Sequence, residues 1–560
     1  MLHLGYITVI VLCLAPLAPG FIGVLSAAFG FIPAIGMDQV SADAFWKITQ
    51  WPGVTQSLLL TIISSVVSTY GALLLCFAIL QSLWLSRYWA NIEKLLAPLL
   101  ALPHVAFAIG FAFLFAPTGF IARFIYALFE YTPNASEATS FIQDPNALGL
   151  TIALMFKEVP FLLFMSIPIL QQLNVPKLFQ SCRSMGYTPV QFWWKTVLPQ
   201  WLPRIRFSLF AVAAYGVSVV DLGLILGPVA SPTFAVVVWQ WFNDPDLNYL
   251  PQAAAGAVVL FVLLCAVMVG MVTVEKLITL VWRRWQYSGR FGLALPGKLL
   301  MALCASLSIA IIPLLSVWSV AQRWSFPDLI PSQFTNRFWI NEWFGVYPTL
   351  FTSLSIATIS ATLALILAMV AQQYRLRSRW RLPSYLFLIP MLLPQLSLLL
   401  GMQVTTLWLG AQHYYLWVIW SHLFFAFPFV YLALDGPWRS YNENFSNMAL
   451  SLGKSRFYTF VFIKMPLLKA AIIYAWALGA SVSLAQYLPT LILGAGRITT
   501  ITTEAVALSS GFDRRVTAIY ALWQGLLPLV FFALSLLLSH RGHGVASSQT
   551  PTAHKDACSL

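Results

Sequence analysis

Residues 57–80 read SLLLTIISSVVSTYGALLLCFAIL, a run without a single charged side chain. As a helix rising 1.5 Å per residue it reaches about 36 Å, enough to cross roughly 30 Å of hydrocarbon. The run is apolar all round. A barrel strand would be about ten residues long and alternate polar with apolar, so a β-barrel does not fit. Working outward, similar blocks recur at roughly 4–29, 95–116, 148–170, 203–228, 253–280, 298–320, 349–371, 384–409, 414–434, 470–494 and 515–539. Together they predict an all-α integral membrane protein with about twelve transmembrane helices. Composition agrees: 59% of the 560 residues are hydrophobic and 9% charged, against about a quarter charged in soluble domains. The first block has no Lys or Arg before it and is too long for a signal-peptide core, so it is expected to be retained.

The formal net charge is +13. Its placement argues against nucleic acid as the partner. Of the 31 Lys and Arg residues, 23 fall in alternate segments between blocks, among them Lys177, Arg183, Arg283, Arg284, Arg375, Arg377, Lys454 and Lys464. The opposite segments hold seven, and 11 of the 18 acidic residues. This bias marks the cytoplasmic side and places both termini there. Cys13, Cys76, Cys265 and Cys304 lie in apolar blocks, and Cys182 and Cys558 in cytoplasmic segments, so no disulfide framework is expected.

The chain also repeats itself. Leu224-Ile225-Leu226-Gly227 returns as Leu491-Ile492-Leu493-Gly494, 267 residues later. Gly186 and Pro199 return as Gly453 and Pro466 at the same offset, and Val159-Pro160 as Phe427-Pro428 at 268. Upstream, with gaps, Leu102-Pro103 matches Leu393-Pro394, and Ser57-Leu58 matches Ser353-Leu354. Six blocks per copy is an even number, so the two copies are parallel repeats, with a path expected at their interface.

Between the fourth and fifth blocks of each copy lies an amphipathic cytoplasmic segment. The first runs Gln180-Ser181-Cys182-Arg183-Ser184-Met185-Gly186-Tyr187-Thr188 and on to Leu198-Pro199. The second runs Asn447-Met448-Ala449-Leu450-Ser451-Leu452-Gly453-Lys454-Ser455 and on to Met465-Pro466. A glycine between two short helical stretches permits a sharp turn, and the proline suits the start of the next element. Trp193, Trp194 and Phe460 would anchor the second stretch.

These segments resemble the EAA loop of the membrane subunits of ATP-binding cassette (ABC) importers, in particular the fused permeases related to iron(III) and thiamine importers. The resemblance extends over nearly the whole chain. It implies a type I ABC importer transmembrane domain with halves at 1–290 and 291–540, coupling loops at 179–199 and 446–466, and a polar, disordered tail at 541–560. It also implies partners: two ABC ATPase subunits, an external solute-binding protein and membrane lipid, with no nucleic acid and one copy of this chain per transporter in a bacterial inner membrane. Gln180, Arg183, Gly186, Pro199, Asn447, Gly453, Lys454 and Pro466 map onto the ATPase-coupling positions. Gln180 and Asn447 stand where the family has an acid, which removes an ion pair to the ATPase at that point.

Gly453-Lys454-Ser455 looks like the end of a phosphate-binding loop, but Met448 occupies the position of the required upstream glycine. The chain is therefore expected to be no enzyme and to carry no cofactor or metal, with ATP bound by its partners. Ionisable groups within membrane blocks are costly and mark candidate functional positions. Lys157, Glu158, Asp221 and His422 are such groups, and with Gln486 they are candidates for the translocation path. Asp221 is a plausible partner for Lys157 on a neighbouring helix, in which case the pair would equally serve to lock helices together. A secondary transporter of the major facilitator type also has two parallel six-span halves. It typically carries a Gly- and Asp-containing basic motif between its second and third spans, which Gln81–Lys94 lacks.

Overall fold

The computed structural model describes residues 2–130, 141–287, 292–378, 382–408, 412–511 and 513–540. The tail at 541–560 and Arg379 and Arg381 lie outside the described residues. Apart from a two-stranded ribbon at Ala321–Arg323 and Gln333–Phe334, the named elements are helical. Among the described residues, nine helices are long and apolar enough to cross a membrane, or eleven when two sharply bent pairs each count as one. The expectation of an all-α membrane protein holds, with nine to eleven such spans where about twelve were expected. The block at 203–228 forms Leu198–Ser218, whose start holds Pro199, Gln200, Pro203, Arg204 and Arg206 and is too polar to qualify.

Several blocks are broken within their length. Expected helix 95–116 is Trp89–Ala101 followed by His104–Phe115. Block 384–409 is a 3-10 segment Ser384–Leu392 followed, after a 95° bend, by Gln395–Trp408. Both breaks fall at a Leu-Pro pair, Leu102-Pro103 and Leu393-Pro394, where proline lacks its N–H and pushes the preceding residue out of the α region. The blocks at 203–228 and 470–494 break too, after Ser218 and Ala485, and resume as the short helices Asp221–Leu226 and Leu488–Leu493. Others overrun. Leu250–Tyr287 and Arg337–Arg377 have 38 and 41 residues, so Lys276, Arg283, Arg284, Arg375 and Arg377 ride on helix ends rather than in loops.

The first helical stretch of each half crosses to the other half. Leu17–Ala28 lies against Gln395–Trp408, with Gly20 and Gly23 meeting the backbone of Gly401. Leu2–Cys13 lies against Arg337–Arg377, where Tyr6 stacks on Tyr374 at 4.1 Å between ring centroids. Reciprocally, Gly297–Val320 packs on Val54–Leu83 and His104–Phe115, with Gly297 against the Ala78 carbonyl and Gly110 against Ile311. Small residues allow such close backbone approach, where dispersion rather than hydrophobic burial holds helices together in lipid.

The repeat is also visible in the hydrogen bonding. The N–H groups of Phe234 and Ile501, 267 residues apart, each donate to a hydroxyl at 2.8 Å, of Thr61 and Ser353 respectively. Ser353 is therefore the structural counterpart of Thr61, one helical turn beyond Ser57, with which the sequence pairs it.

Replacing Gly401 with leucine should cost about 1–3 kcal/mol through overpacking and reduce the amount of folded protein recovered in detergent. Gly270→Leu, where a Cβ meets nothing within 4 Å, should be neutral. Fluorescence-detected size exclusion of the two variants against the parent checks the contrast.

Candidate functional site

The two cytoplasmic segments fold alike because their sequences share the same stops and starts. Helix Val175–Ser184 ends in a Schellman turn: Gly186 has φ +83°, its N–H donates to the Arg183 carbonyl and that of Tyr187 to the Cys182 carbonyl. Helix Asn444–Ser451 ends identically, with Gly453 at φ +76°, its N–H on Leu450 and that of Lys454 on Ala449. Left-handed backbone at this position is where glycine is favoured. A hydroxyl then caps the next turn: Thr188 accepts from Gln191 N–H in a capping box, and Ser455 accepts from Tyr458 N–H. Each chain passes next through a π-helical turn, Trp193–Val197 and Phe460–Lys464, again 267 residues apart. Pro199 and Pro466 sit in the first turn of the helices that follow. The sequence carried the glycines and prolines but not the π-turns, which depend on how the turn docks to the bundle.

Docking is by aromatic and cationic contacts. Trp193 is buried and its neighbour Trp194 donates to the Leu293 carbonyl at 2.7 Å. Lys195 Nζ donates to the Trp285 carbonyl at 2.9 Å. In the second loop Lys464 is buried, bonded to Glu443 at 2.9 Å and facing the rings of Trp438 and Tyr441. The outer surfaces differ. Gln180, Ser181, Arg183, Ser184 and Met185 are exposed on the first loop. On the second, Met448, Leu452 (79% exposed) and Phe457 (76%) accompany Asn447, Gly453 and Lys454. Cys182 is buried, with Sγ 3.5 Å from Thr196 Oγ1, so the exposed Ser181 is the residue of this stretch that a reagent meets.

Between the halves lies a cavity of about 270 Å³ bordered by all four helix breaks. Its walls follow the repeat. Phe161 and Phe429, Ala211 and Leu478, and Val220 and Tyr487 are equivalent positions that both face it. Chemically the walls are unequal. His104, Lys157, Tyr215 and Asp221 on the first half correspond to Gln395, Phe425, Val482 and Leu488 on the second. Toward the loops, the rings of Phe164 and Tyr474 stack across the two halves at 6.5 Å.

The structure brings four of the five path candidates to this cavity and leaves one out. Lys157, Glu158, Asp221 and Gln486 line it. His422 does not: it is buried, with Nδ1 2.7 Å from Ser483 Oγ and Nε2 2.8 Å from Thr490 Oγ1, and it pins helix Tyr414–Ser440 to the broken helix beside it. The expected Lys157–Asp221 pair is also corrected. Lys157 Nζ donates to the Leu99 carbonyl at 3.2 Å, near the C-terminus of Trp89–Ala101, where the break frees carbonyls. A cation there is favoured by the helix dipole. Glu158 instead meets His104 Nε2 at 3.1 Å. His104 and Tyr215, whose ring centroids are 4.6 Å apart, were missed in the sequence; His104 follows the Leu-Pro break, which was the available signal. Among the described residues, no group of three His, Cys, Asp or Glu side chains could hold a metal ion.

No family model matches the chain. It is 32% identical over 503 residues to the inner membrane ABC transporter permease protein YnjC of Escherichia coli, covering 88% of this chain and 91% of that protein. Shorter proteins match part of it. The putative 2-aminoethylphosphonate transport system permease protein PhnV of Salmonella typhimurium is 27% identical over 269 residues, 45% of this chain but 94% of its own length. The sulfate transport system permease protein CysT of Salmonella typhimurium is 24% identical over 232 residues, 40% of this chain and 78% of its own. Single permeases that match less than half of a chain already shown to repeat itself, and a long relative that matches nearly all of it, lead to one conclusion: this chain belongs to the ABC transporter permeases, with two permease halves fused in one polypeptide.

Proposed function

We propose that the chain is the whole membrane component of an importer in a bacterial inner membrane, with both termini cytoplasmic. Two ABC ATPase subunits dock on it, one at residues 179–199 and one at 446–466. The observation that carries this reading is the twofold recurrence of one unusual backbone: Schellman glycine, hydroxyl cap, π-turn and proline, at a constant offset of 267. A surface helix that merely rested on the membrane would have no reason to preserve that sequence of turns twice. ATP is hydrolysed by the partners, and the chain supplies the path. An external binding protein delivers a small solute above the cavity, and closure of the ATPases moves the loops and parts Phe164 from Tyr474. One copy of the chain suffices, because it contains both halves.

The two docking surfaces are unequal, so a homodimeric ATPase meets two different sockets. The exposed apolar side chains Met448, Leu452 and Phe457 make the second loop the stronger anchor, since docking removes more apolar surface from water there. The polar first loop contributes less to holding the complex.

Four outcomes are expected. Leu452→Ala should weaken co-purification of the ATPase more than Met185→Ala does, read by native mass of the detergent-solubilised complex. That mass should correspond to one permease chain and two ATPases; two permease chains per ATPase pair would contradict the assembly. A Cβ at Gly453 meets nothing within 4 Å, so its substitution is penalised only by the left-handed backbone, by roughly 1 kcal/mol. Gly453→Asn, which tolerates that backbone, should keep transport-linked ATP hydrolysis better than Gly453→Val at equal accumulation. Finally, Ser181→Cys should react with a membrane-impermeant maleimide in inverted vesicles and not in intact cells. Labelling from outside would reverse the orientation.

A further inference from the structure

Resting on the reading of the cavity as the solute path, we propose that the cavity is itself a selective site. Its ligand is a small organic solute with a protonated nitrogen at one end and an apolar body at the other. The two walls supply the two ends. Every acidic or basic side chain lining the cavity comes from the first half, and Phe425 and Leu488 hold the places in the second half that Lys157 and Asp221 hold in the first.

Each basic side chain of the polar wall has a partner within the protein. Lys157 donates to the Leu99 carbonyl at the helix break, and His104 is hydrogen-bonded to Glu158. What remains can accept. Among the described residues, Asp221 forms no ion pair with Lys, Arg or His. Gln486 Oε1 is buried without a hydrogen-bond partner, the residue being 6% exposed. A buried acceptor without a donor is costly, and a ligand N–H relieves that cost. The rings of Phe161, Phe425, Phe429 and Tyr474 surround the same space and attract a cation over their faces while packing an apolar body. An anion would meet two carboxylates, Asp221 and Glu158, against the single lysine of the wall, Lys157. The volume of about 270 Å³ admits a small solute rather than an oligomer.

The test uses the full chain reconstituted in lipid nanodiscs and isothermal titration of four probes, corrected against empty nanodiscs. The probes are 2-phenylethylammonium, 2-phenylethanol, phenylacetate and sulfate. The ammonium probe should bind about tenfold or more tighter than the alcohol, as expected for one charge-assisted hydrogen bond in a desolvated site. Phenylacetate and sulfate should be weaker still. Asp221→Asn, nearly isosteric, should abolish the preference for the ammonium while leaving binding of the alcohol and the melting temperature unchanged. Phe429→Ala should weaken ammonium and alcohol together. Tighter binding of either anion, no binding of any probe, or an unchanged preference in Asp221→Asn would overturn the proposal. Loss of alcohol binding together with a lowered melting temperature in Asp221→Asn would mean that Asp221 is structural, and would overturn it as well. ATPase assembly on the same nanodiscs separates the two readings. A chain that selects the ammonium probe but binds no ATPase refutes the transport assignment alone, and the reverse result refutes this site alone.

Discussion

A backbone carbonyl at membrane depth needs a donor, and this structure is arranged around that need. Four helices are interrupted where they meet between the halves. Each interruption frees carbonyl and N–H groups that lipid cannot satisfy, so broken backbone is tolerated only where protein or water covers it. The Lys157–Leu99 contact shows the solution. A lysine that would be expensive in hydrocarbon becomes affordable beside the exposed end of a helix, and the helix end becomes tolerable beside the lysine. With the breaks facing inward, a space bounded by helix ends follows, and Lys157, Glu158, Asp221 and Gln486 line it.

The exchange of first helices ties the two halves together. Leu2–Ala28 and Gly297–Val320 each lie across the opposite half, held at glycines where backbone touches backbone. The halves are therefore interlocked and cannot simply drift apart. A rocking or shear about the shared cavity is the kind of motion such interlocking allows, and the Phe164–Tyr474 stack is a contact it would change. The two cytoplasmic-type loops at 179–199 and 446–466 are joined to the bundle through buried contacts, Trp193 in one and Lys464 in the other, rather than by flexible tethers. A push on a loop is delivered to the helix that follows it.

Fusion has let the two copies diverge where separate identical subunits could not. The backbone of the loops is conserved between the copies down to the π-turn, but their exposed side chains are not: Met448, Leu452 and Phe457 have no apolar match of equal extent on the first loop. The cavity shows the same division, with a charged wall on one half and Phe425 and Leu488 at the corresponding places on the other. Geometry shared by both halves meets the common mechanical demand, while side chains on each half are free to specialise.

Membrane insertion, the repeat and the two loops could be read from the residues alone, because each rests on local chemistry. Runs such as 57–80 need only length and lack of charge, and Gly186, Gly453, Pro199 and Pro466 act through their own backbone preferences. The interruptions at Leu102-Pro103 and Leu393-Pro394 were written there too, though the breaks after Ser218 and Ala485 carry no signal shared by both. What no single segment encodes is which polar group meets which. His422 and Asp221 look alike as isolated intramembrane residues, yet one is consumed by Ser483 and Thr490 and the other faces the cavity. Lys157 was equally able to face a carboxylate or a carbonyl, and the bend at Pro103 placed the Leu99 carbonyl within its reach. Those outcomes depend on the rotation of one helix against another, set by packing between residues hundreds of positions apart. The sequence therefore determined the parts and their order, and tertiary packing decided which of the buried charges were left for a ligand.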